Sequence, residues 1–137
     1  MPQMIFVNLP VKDLETTKGF FAKLGYGINP QFSDDSAACL VISDTIFAML
    51  MSEPRFKDFT KKDVADAERT TEVILCLSAD SREKVDEIAD AALAAGGFPA
   101  NDPQDMGFMY GRSFQDPDHH IWEVMWMDPA AVEGGAA

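Results

Sequence analysis

The apolar residues near the start of the chain predict a strand followed by a helix. Residues 4–9 form a short run of residues that favour strands, and Pro10 closes it. Asp13 is placed to cap a helix, because its carboxylate can accept the free N–H groups of the first helical turn. The apolar residues that follow collect on one helical face: Leu14, Phe20, Phe21 and Leu24. Gly25 is typical of the position that ends such a helix.

Three further strands and a connector complete the first half of the chain. The strands are predicted at residues 26–32, 37–42 and 45–51, and short Ser- and Asp-containing sequences supply the turns between them. Residues 53–69 are polar and rich in charge, which indicates a partly helical connector.

The second half repeats this order. A strand is predicted at residues 72–77, and Asp80 or Ser81 caps a helix that Gly96 and Gly97 end. The apolar face of this helix consists of Val85, Ile88, Ala89 and Ala92. Three more strands are predicted at residues 98–101, 108–114 and 120–127.

The halves also resemble each other in sequence, since residues 45–50 align with residues 120–125. Such a repeat predicts an α+β fold of two βαβββ modules within one domain that spans the chain. The predicted bounds are about 3–52 for module one, 53–69 for the connector, about 70–128 for module two and 129–137 for an Ala- and Gly-rich tail that frays.

The charge of the chain narrows its function. The 137 residues include 11 Lys and Arg against 23 Asp and Glu, which gives a formal net charge of −12. This balance argues against nucleic acid, whose binders need clustered basic residues, and against anionic membrane surfaces. The sequence has no apolar run approaching the ~20 residues of a membrane span and no signal-peptide pattern at its start, so we expect a cytoplasmic protein.

The two cysteines agree with a reducing compartment. Cys39 and Cys76 each lie inside an apolar run, and neither has a Cys-x-x-Cys neighbour or the spacing of a zinc site. We therefore expect both to be free, buried thiols that behave as small apolar residues.

Two sequence blocks carry a resemblance to a known family. The first is Phe-Val-Asn-Leu-Pro-Val-Lys-Asp-Leu at residues 6–14, continued by Phe20-Phe21 and Leu24-Gly25-Tyr26. The second, residues 114–124, contains an Asp-Pro-Asp turn that leads into the last strand. Over residues 3–128 the chain resembles the vicinal oxygen chelate superfamily, which holds glyoxalase I, extradiol dioxygenases, fosfomycin-resistance proteins and bleomycin-binding proteins.

The resemblance is narrower in two short segments and departs from the family at one position. Residues 109–116 and 126–129 look like bacterial proteins grouped as glyoxalase/bleomycin-resistance/dioxygenase-like. His119 stands where the family's turn normally carries Gly, which is favoured there because it tolerates positive φ. A histidine accepts that conformation at some cost, so the departure affects the turn and leaves the fold intact.

The resemblance implies an architecture and an assembly. Each module of such a protein rolls into a half-barrel, and the two half-barrels form one cup for a small molecule. Relatives are usually homodimers, and the edge strands of half-barrels need covering, so we expect a homodimer here.

The resemblance also points to positions for a metal. In relatives that use a divalent metal, the ligands come from the first and fourth strands of each module, which match Phe6 and Ala48 in module one and Glu72 and Glu123 in module two. Glu72 and Glu123 suit a cation, Phe6 does not, and Asn8 on the same face could add only an amide oxygen. We therefore expect no cofactor, and if a divalent metal binds, Glu72 and Glu123 would hold it.

Glu123 is the strongest candidate for a functional residue. It lies among apolar residues, and strand alternation places it on one face with Ile121 and Met125. A carboxylate in such surroundings is costly unless it is paired, so we expect Glu123 to line the cavity, where it could act as a catalytic acid or base together with Glu72. Glu72 follows two threonines, and its alternative interpretation is a solvated strand end.

Strand 108–114 leaves two interpretations open. Tyr110 and Arg112 share one side of it, opposite Met109, Gly111 and Ser113. If the side of Tyr110 and Arg112 faces the cavity, Arg112 could bond to Glu123 or hold an anionic substrate. If it does not, Arg112 is a surface residue and Tyr110 packs in the core.

The two histidines carry little functional signal. His119 and His120 are adjacent at the turn before the last strand, and adjacent strand residues point in opposite directions. We therefore expect an exposed turn histidine and a strand-end histidine, not a pair of metal ligands.

Three hypotheses about function follow. The first is a metal-independent protein that captures a small organic molecule in an apolar cup. The residues that would bind it are Phe6, Asn8, Tyr110, Arg112 and Met125. The second hypothesis is a metal-free acid–base enzyme using Glu123, and the third is a metal-dependent lyase or dioxygenase with a degenerate ligand set.

Overall fold

The chain divides into two units that share a strand–helix start followed by further strands of the same sheet. The computed structural model describes residues 2–131, and the boundary between the units falls after Thr70. Each unit contains one sheet and one long helix that follows the first strand of that sheet. The repeat predicted from the sequence is therefore present in the structure.

The first unit is a four-stranded sheet with a helix packed on it. Its elements are β1 (Ile5–Val11), α1 (Leu14–Lys23), β2 (Gly27–Asn29), a 3₁₀ turn (Pro30–Phe32), β3 (Ala37–Val41), β4 (Ile46–Ser52) and α2 (Glu53–Lys57). The strand order is β1-β4-β3-β2, in which β1 and β4 are parallel and the other pairs are antiparallel. The connector is partly helical as predicted, because α2 opens it.

Local capping sets the ends of α1. The carboxylate of Asp13 accepts the Thr16 N–H at 3.3 Å. The helix stops before Gly25, whose φ of +99° lies in the left-handed region that favours glycine. Both predictions for this helix are confirmed.

The core of the first unit lies between α1 and one face of the sheet. Phe20 and Phe21 are almost fully buried and contact each other edge to face, with ring centroids 5.0 Å apart. The helix contacts β3 and β4, whose buried side chains on this face include Leu40 and Leu50. Burial of such large apolar side chains supplies most of the stability of a small unit.

Two strand predictions in this unit are wrong in their bounds. Pro10 does not close β1 but lies within it, opposite Met51, because an edge strand tolerates a proline whose nitrogen needs no ladder partner. The strand predicted at residues 26–32 ends at Asn29, whose side chain accepts the Gln31 N–H at 3.0 Å and starts the 3₁₀ turn.

The second unit repeats the arrangement with a longer helix. Its elements are β5 (Ile74–Ser78), α3 (Arg82–Ala94), β6 (Phe98–Pro99), β7 (Gln104–Asp105), β8 (Met109–Gln115) and β9 (Ile121–Met127). The order is β5-β9-β8-β6, with β7 also paired to β8 and only β5–β9 parallel. Ser81, one of two predicted caps, accepts the Lys84 N–H at 3.1 Å.

One face of the second sheet is covered by α3. The helix buries Val85, Ile88, Ala89 and Ala92, as its periodicity predicts. On the sheet, Phe114, Trp122 and Val124 are almost fully buried and belong to the two strands that α3 contacts. Each module therefore has one face of its sheet closed by its own helix.

The turn between β8 and β9 is organised by one buried carboxylate. Oδ1 of Asp116 accepts the N–H groups of Asp118 at 2.9 Å and His120 at 3.1 Å, and Oδ2 accepts the indole N–H of Trp122 at 3.0 Å. Burial raises the pKa of Asp116, while the charge of His120 and the indole hydrogen bond oppose that rise. His119 has a φ of 69°, so this histidine adopts the left-handed conformation that glycine favours.

The environment of His119 differs from the prediction. Its ring is half-buried and stacks on Phe98 at 4.6 Å, and Nδ1 lies 3.1 Å from Oε1 of Gln115. These contacts hold the side chain against β6, so the expected exposed turn histidine is instead packed.

The fold class is confirmed as α+β with two sheets. Within residues 2–131, none of the helices has the length and apolar character that crossing a bilayer requires. The tail predicted at 129–137 falls mostly outside the described residues, and Ala130 and Ala131 hydrogen-bond back to Asp128.

Replacing Gly19 by alanine should stabilise the protein. Gly19 is exposed within α1, and a Cβ added there would meet no atom within 4 Å. Because alanine has the higher helix propensity, we expect Gly19→Ala to raise the free energy of unfolding by about 0.5–1 kcal/mol, measured by urea denaturation. Gly25→Ala, at positive φ, should lower it, and equal effects of the two substitutions would contradict this account.

Candidate functional site

Two candidate residues of the second module, Glu123 and Met125, lie on the uncovered face of its sheet, which is the face opposite α3. Directly paired strand residues share a face, so Glu123 lies beside Ser113 of β8 and Cys76 of β5. Met125 lies on the same face opposite Gly111. This face is the one that α3 leaves free, because α3 packs against the side chains of the alternate positions.

A cavity of about 110 Å³ lies on this face. Its lining combines two carboxylates, two amides, two thioethers and two small residues: Asp102, Glu123, Asn101, Gln104, Met109, Met125, Gly111 and Ser113. The cavity therefore combines apolar walls with acidic and amide groups. Arg112 also borders the cavity, but its guanidinium group points towards α3 on the opposite face of the sheet.

Glu123 and Cys76 are neighbours on adjacent strands. Cys76 is exposed, contrary to the prediction that both cysteines are buried, and it lies on the face opposite α3. Partial burial of the thiol, followed by the nearby Glu123 carboxylate, raises the pKa of Cys76. The thiol therefore stays protonated near neutral pH and can donate to Glu123. Cys39 is buried as predicted.

Hydrogen bonds fix one side of the rim. The Ser113 hydroxyl accepts the Asn101 N–H at 2.8 Å and donates to the Asn101 carbonyl at 3.2 Å. Ser113 is itself buried, so this pair of bonds forms in a shielded place. The segment that carries Asn101 and Asp102 is thereby tied to the strand beneath it.

The other side of the rim is held by Arg82. Its guanidinium group donates to both carboxylate oxygens of Asp105 at 2.9 Å and to the Gly107 carbonyl at 2.9 Å. It also lies over the rings of Tyr110 and Trp126, at 5.1 and 5.2 Å from their centroids. This cluster fixes β7, and with it the cavity residue Gln104, from the helix side of the sheet.

Tyr110 and Arg112 point away from the cavity, which decides between the two interpretations of their strand. The Tyr110 hydroxyl donates to Asp86 at 2.6 Å, and Arg112 donates to Asp86 at 3.1 Å and Asp90 at 2.7 Å, both on α3. The hydrogen bond from Tyr110, followed by Arg112, lowers the pKa of Asp86. Arg112 borders the cavity, but its charge is neutralised on the other face and forms no bond to Glu123.

Phe6 and Asn8 lie on the face of the first sheet opposite α1. Phe6 is 50% exposed and stacks on Phe47 with centroids 4.8 Å apart. The Asn8 amide donates to the Phe6 carbonyl at 3.4 Å. Ala48, in contrast, is fully buried beneath α1, because it pairs with Leu40 on the covered face.

The strand registers show that the equivalent positions of the two modules differ from the predicted ones. In the first module Phe6 pairs with Phe47 and Asn8 with Met49; in the second, Ile74 pairs with Ile121 and Cys76 with Glu123. Ile74 also lies seven residues before its helix cap, as Phe6 does. Ile74, and not Glu72 as predicted, therefore corresponds to Phe6. Met49, and not Ala48 as predicted, corresponds to Glu123.

This shift removes Glu72 from the set of metal positions. Glu72 is exposed and precedes β5, so the strand predicted from residue 72 starts two residues late, at Ile74. The four corresponding positions are then Phe6, Met49, Ile74 and Glu123, of which only Glu123 is a ligand for a hard cation. Among residues 2–131, no group of three or more His, Cys, Asp or Glu side chains is arranged so that it could hold a metal ion. These four positions therefore do not supply the three or more donors that a divalent metal needs.

The cavity contains residues that the sequence reasoning did not assign. Asn101, Asp102 and Gln104 come from a segment without strong periodicity, and no sequence signal marks them. Gly111 and Ser113 could have been found, because strand alternation places both on the side of β8 away from Arg112.

Part of the first module matches a known protein family. Residues 3–43 match the family described as bleomycin resistance protein-like N-terminal. A comparison with curated proteins finds no match.

Solved structures match almost the whole chain. The hypothetical protein SA1046 from S. aureus is 25% identical with a TM-score of 0.77, and the match covers 92% of this chain and 94% of that one. A glyoxalase-related enzyme from Fulvimarina pelagi is 18% identical, with a TM-score of 0.77 and coverage of 92% and 88%. A bleomycin-binding protein complexed with bleomycin is 20% identical, with a TM-score of 0.62 and coverage of 91% and 98%. These matches confirm the predicted resemblance at the level of fold.

The ion pair that holds the rim should show a defined pH dependence. Arg82, followed by the Gly107 N–H, lowers the pKa of Asp105 from 3.8 to about 2. Because the pKa is lower in the folded state, the pair stabilises the protein above pH 3.8 and loses this effect as the pH falls towards 2. We expect Asp105→Asn to be less stable than the parent at pH 6, with the difference vanishing near pH 2 in thermal unfolding. A difference that is constant with pH, or the same result for the exposed turn variant Asp44→Asn, would contradict this.

Proposed function

We propose, from the premise that the chain shares its fold with glyoxalase-related and bleomycin-binding proteins, that it binds a small organic molecule on the uncovered face of its second module. The observation that carries the proposal is the cavity in which Glu123 lies beside Met109 and Met125. A carboxylate among thioethers can fix the polar end of a ligand while the apolar walls hold the rest.

The size of the cavity limits what this module binds by itself. Sites that enclose a drug-sized ligand usually have volumes of roughly 300–1,000 Å³. At about 110 Å³ the cavity accepts one functional group and a few neighbouring atoms. The rest of a larger ligand would lie outside it.

The charges of the site favour a cationic group. Glu123 and Asp102 line the cavity, and the whole chain carries a formal charge of −12. Arg112, the candidate for holding an anion, is paired with Asp86 and Asp90 on the opposite face. An ammonium or amidinium group would form a charge-assisted hydrogen bond with Glu123, whereas a carboxylate would be repelled.

We propose that binding does not use a resident metal. The single suitable ligand among the four corresponding positions, Glu123, is too few for a divalent cation, which needs three or more fixed donors. Titration with Ni²⁺, Mn²⁺, Fe²⁺ and Zn²⁺ should therefore show no stoichiometric binding. Micromolar binding that Glu123→Ala abolishes would contradict the proposal and favour a metal-dependent lyase or dioxygenase.

The homodimer expected from the resemblance stays a prediction. Ile5 and Phe6 of the edge strand β1 are 55% and 50% exposed, and Ile74 of the edge strand β5 is 48% exposed. Exposed apolar side chains on edge strands support pairing with another chain.

Binding of matched probes tests the role of Glu123. We expect benzylamine to bind and benzoate to bind weakly or not at all, as followed by amide chemical shifts of residues 101–113 and 121–127. Glu123→Gln should weaken benzylamine binding by about 10- to 100-fold, because a charge-assisted hydrogen bond contributes roughly 1.5–3 kcal/mol. Bleomycin, the ligand that one relative binds, provides a second, larger probe.

Glu72→Gln is the matched control for this experiment. Glu72 is an exposed carboxylate of the same module and lies outside the cavity. Its substitution changes the net charge by the same amount and should leave the affinity unchanged. Equal affinities for benzylamine and benzoate, or equal losses in the two variants, would refute the role of Glu123 as the anchor.

A further inference from the structure

We infer that Gly111 determines the size of the group that the cavity accepts. This inference deepens the proposed function, on which it rests. Gly111 is in the middle of β8, directly opposite Met125, on the face that carries Glu123. Its neighbours on the same face of the strand are Met109 and Ser113, so the glycine is the one position of this row without a side chain.

Neither backbone conformation nor packing requires a glycine here. Gly111 is not among the glycines with positive φ. A Cβ at this position would lie 3.6 Å from the Val124 carbonyl oxygen and 3.9 Å from Cβ and Cγ of Met125, which are ordinary van der Waals distances. The fold would therefore accept alanine at position 111. Glycine within a strand lowers the stability of the protein, so stability does not explain why a glycine is present here.

The missing side chain instead opens the cavity floor. Glycine within a strand often marks a place where a ligand or another backbone approaches closely. At Gly111 the approaching group would contact the main chain of β8, with the thioethers of Met109 and Met125 on either side and Glu123 on the next strand. A side chain at residue 111 would project into that space.

The geometry therefore describes the ligand group more closely. A flat or slender cationic group, such as a primary ammonium on a methylene or an amidinium, reaches Glu123 across Gly111. A bulky, branched cation such as a trimethylammonium group is excluded by the flanking thioethers. Gly111 thus selects the ligand by its shape, and Glu123 selects it by its charge. Separate experiments can test these two effects.

Filling the floor tests the inference. We expect Gly111→Ala to weaken benzylamine binding several-fold and Gly111→Val to weaken it by at least about tenfold, because added volume in a packed site is costly. Benzyltrimethylammonium should bind the parent protein much more weakly than benzylamine does. Gly27→Val is the matched control, since it adds the same side chain to a strand glycine with no atom within 4 Å of its Cβ.

Xenon provides a probe that carries no charge. Xenon binds to apolar walls of cavities, such as those that Met109 and Met125 form here. The methyl resonances of isotope-labelled methionines report on bound xenon. We expect xenon to shift the resonances of Met109 and Met125 in the parent protein and in Glu123→Gln, and this shift should disappear in Gly111→Val. Thermal unfolding of each variant establishes that it is folded, and Gly111→Ala serves if the valine variant is not.

The outcomes separate the inference from the function on which it rests. If Gly111→Val removes the xenon shift while Glu123→Gln leaves benzylamine affinity unchanged, Gly111 shapes the cavity and the proposed anchor is wrong. If benzylamine binding depends on Glu123 and a folded Gly111→Val variant binds as tightly as the parent, Gly111 does not limit the site. Equal losses in Gly111→Val and Gly27→Val would also overturn the inference.

Discussion

Each sheet of this protein is covered by one helix on one face, and this constraint governs the position of every functional side chain. In the first module Phe20 and Phe21 of α1 close one face; in the second, Val85 and Ala89 of α3 do so. Because strand residues alternate between faces, each residue is assigned either to the face that packs on the helix or to the opposite face. Large apolar burial fixes the assignment, since a slip by one residue would expose the core.

The same constraint separates the acidic and basic groups of the second module. Arg112 and Tyr110 fall on the helix side, where the aspartates of α3 accept their hydrogen bonds. Glu123 lies on the other face, and no basic side chain points into the cavity that Glu123 lines. A site that is apolar and acidic follows from this sorting, and the cation preference proposed above rests on it.

The site also depends on supports that do not touch a ligand. Ser113 holds the segment around Asn101 with two hydrogen bonds, and Arg82 holds β7 through Asp105. Both supports fix the rim of a cavity whose floor is a glycine. The proposed binding site therefore has a rim that is held by contacts within the protein, which would reduce the free energy spent on ordering it.

The sequence by itself determined the repeated order of elements, the helix cap at Asp13, and the strand face that Glu123 shares with Met125, because these depend on local spacing and periodicity. It did not determine the strand register, and so it assigned Ala48 and Glu72 to positions that belong to Met49 and Ile74. Register is a relation between strands far apart in the chain and depends on which face the helix buries. The direction of Arg112 was likewise decided only in the tertiary structure, where α3 brings Asp90 within 2.7 Å across 22 residues of sequence.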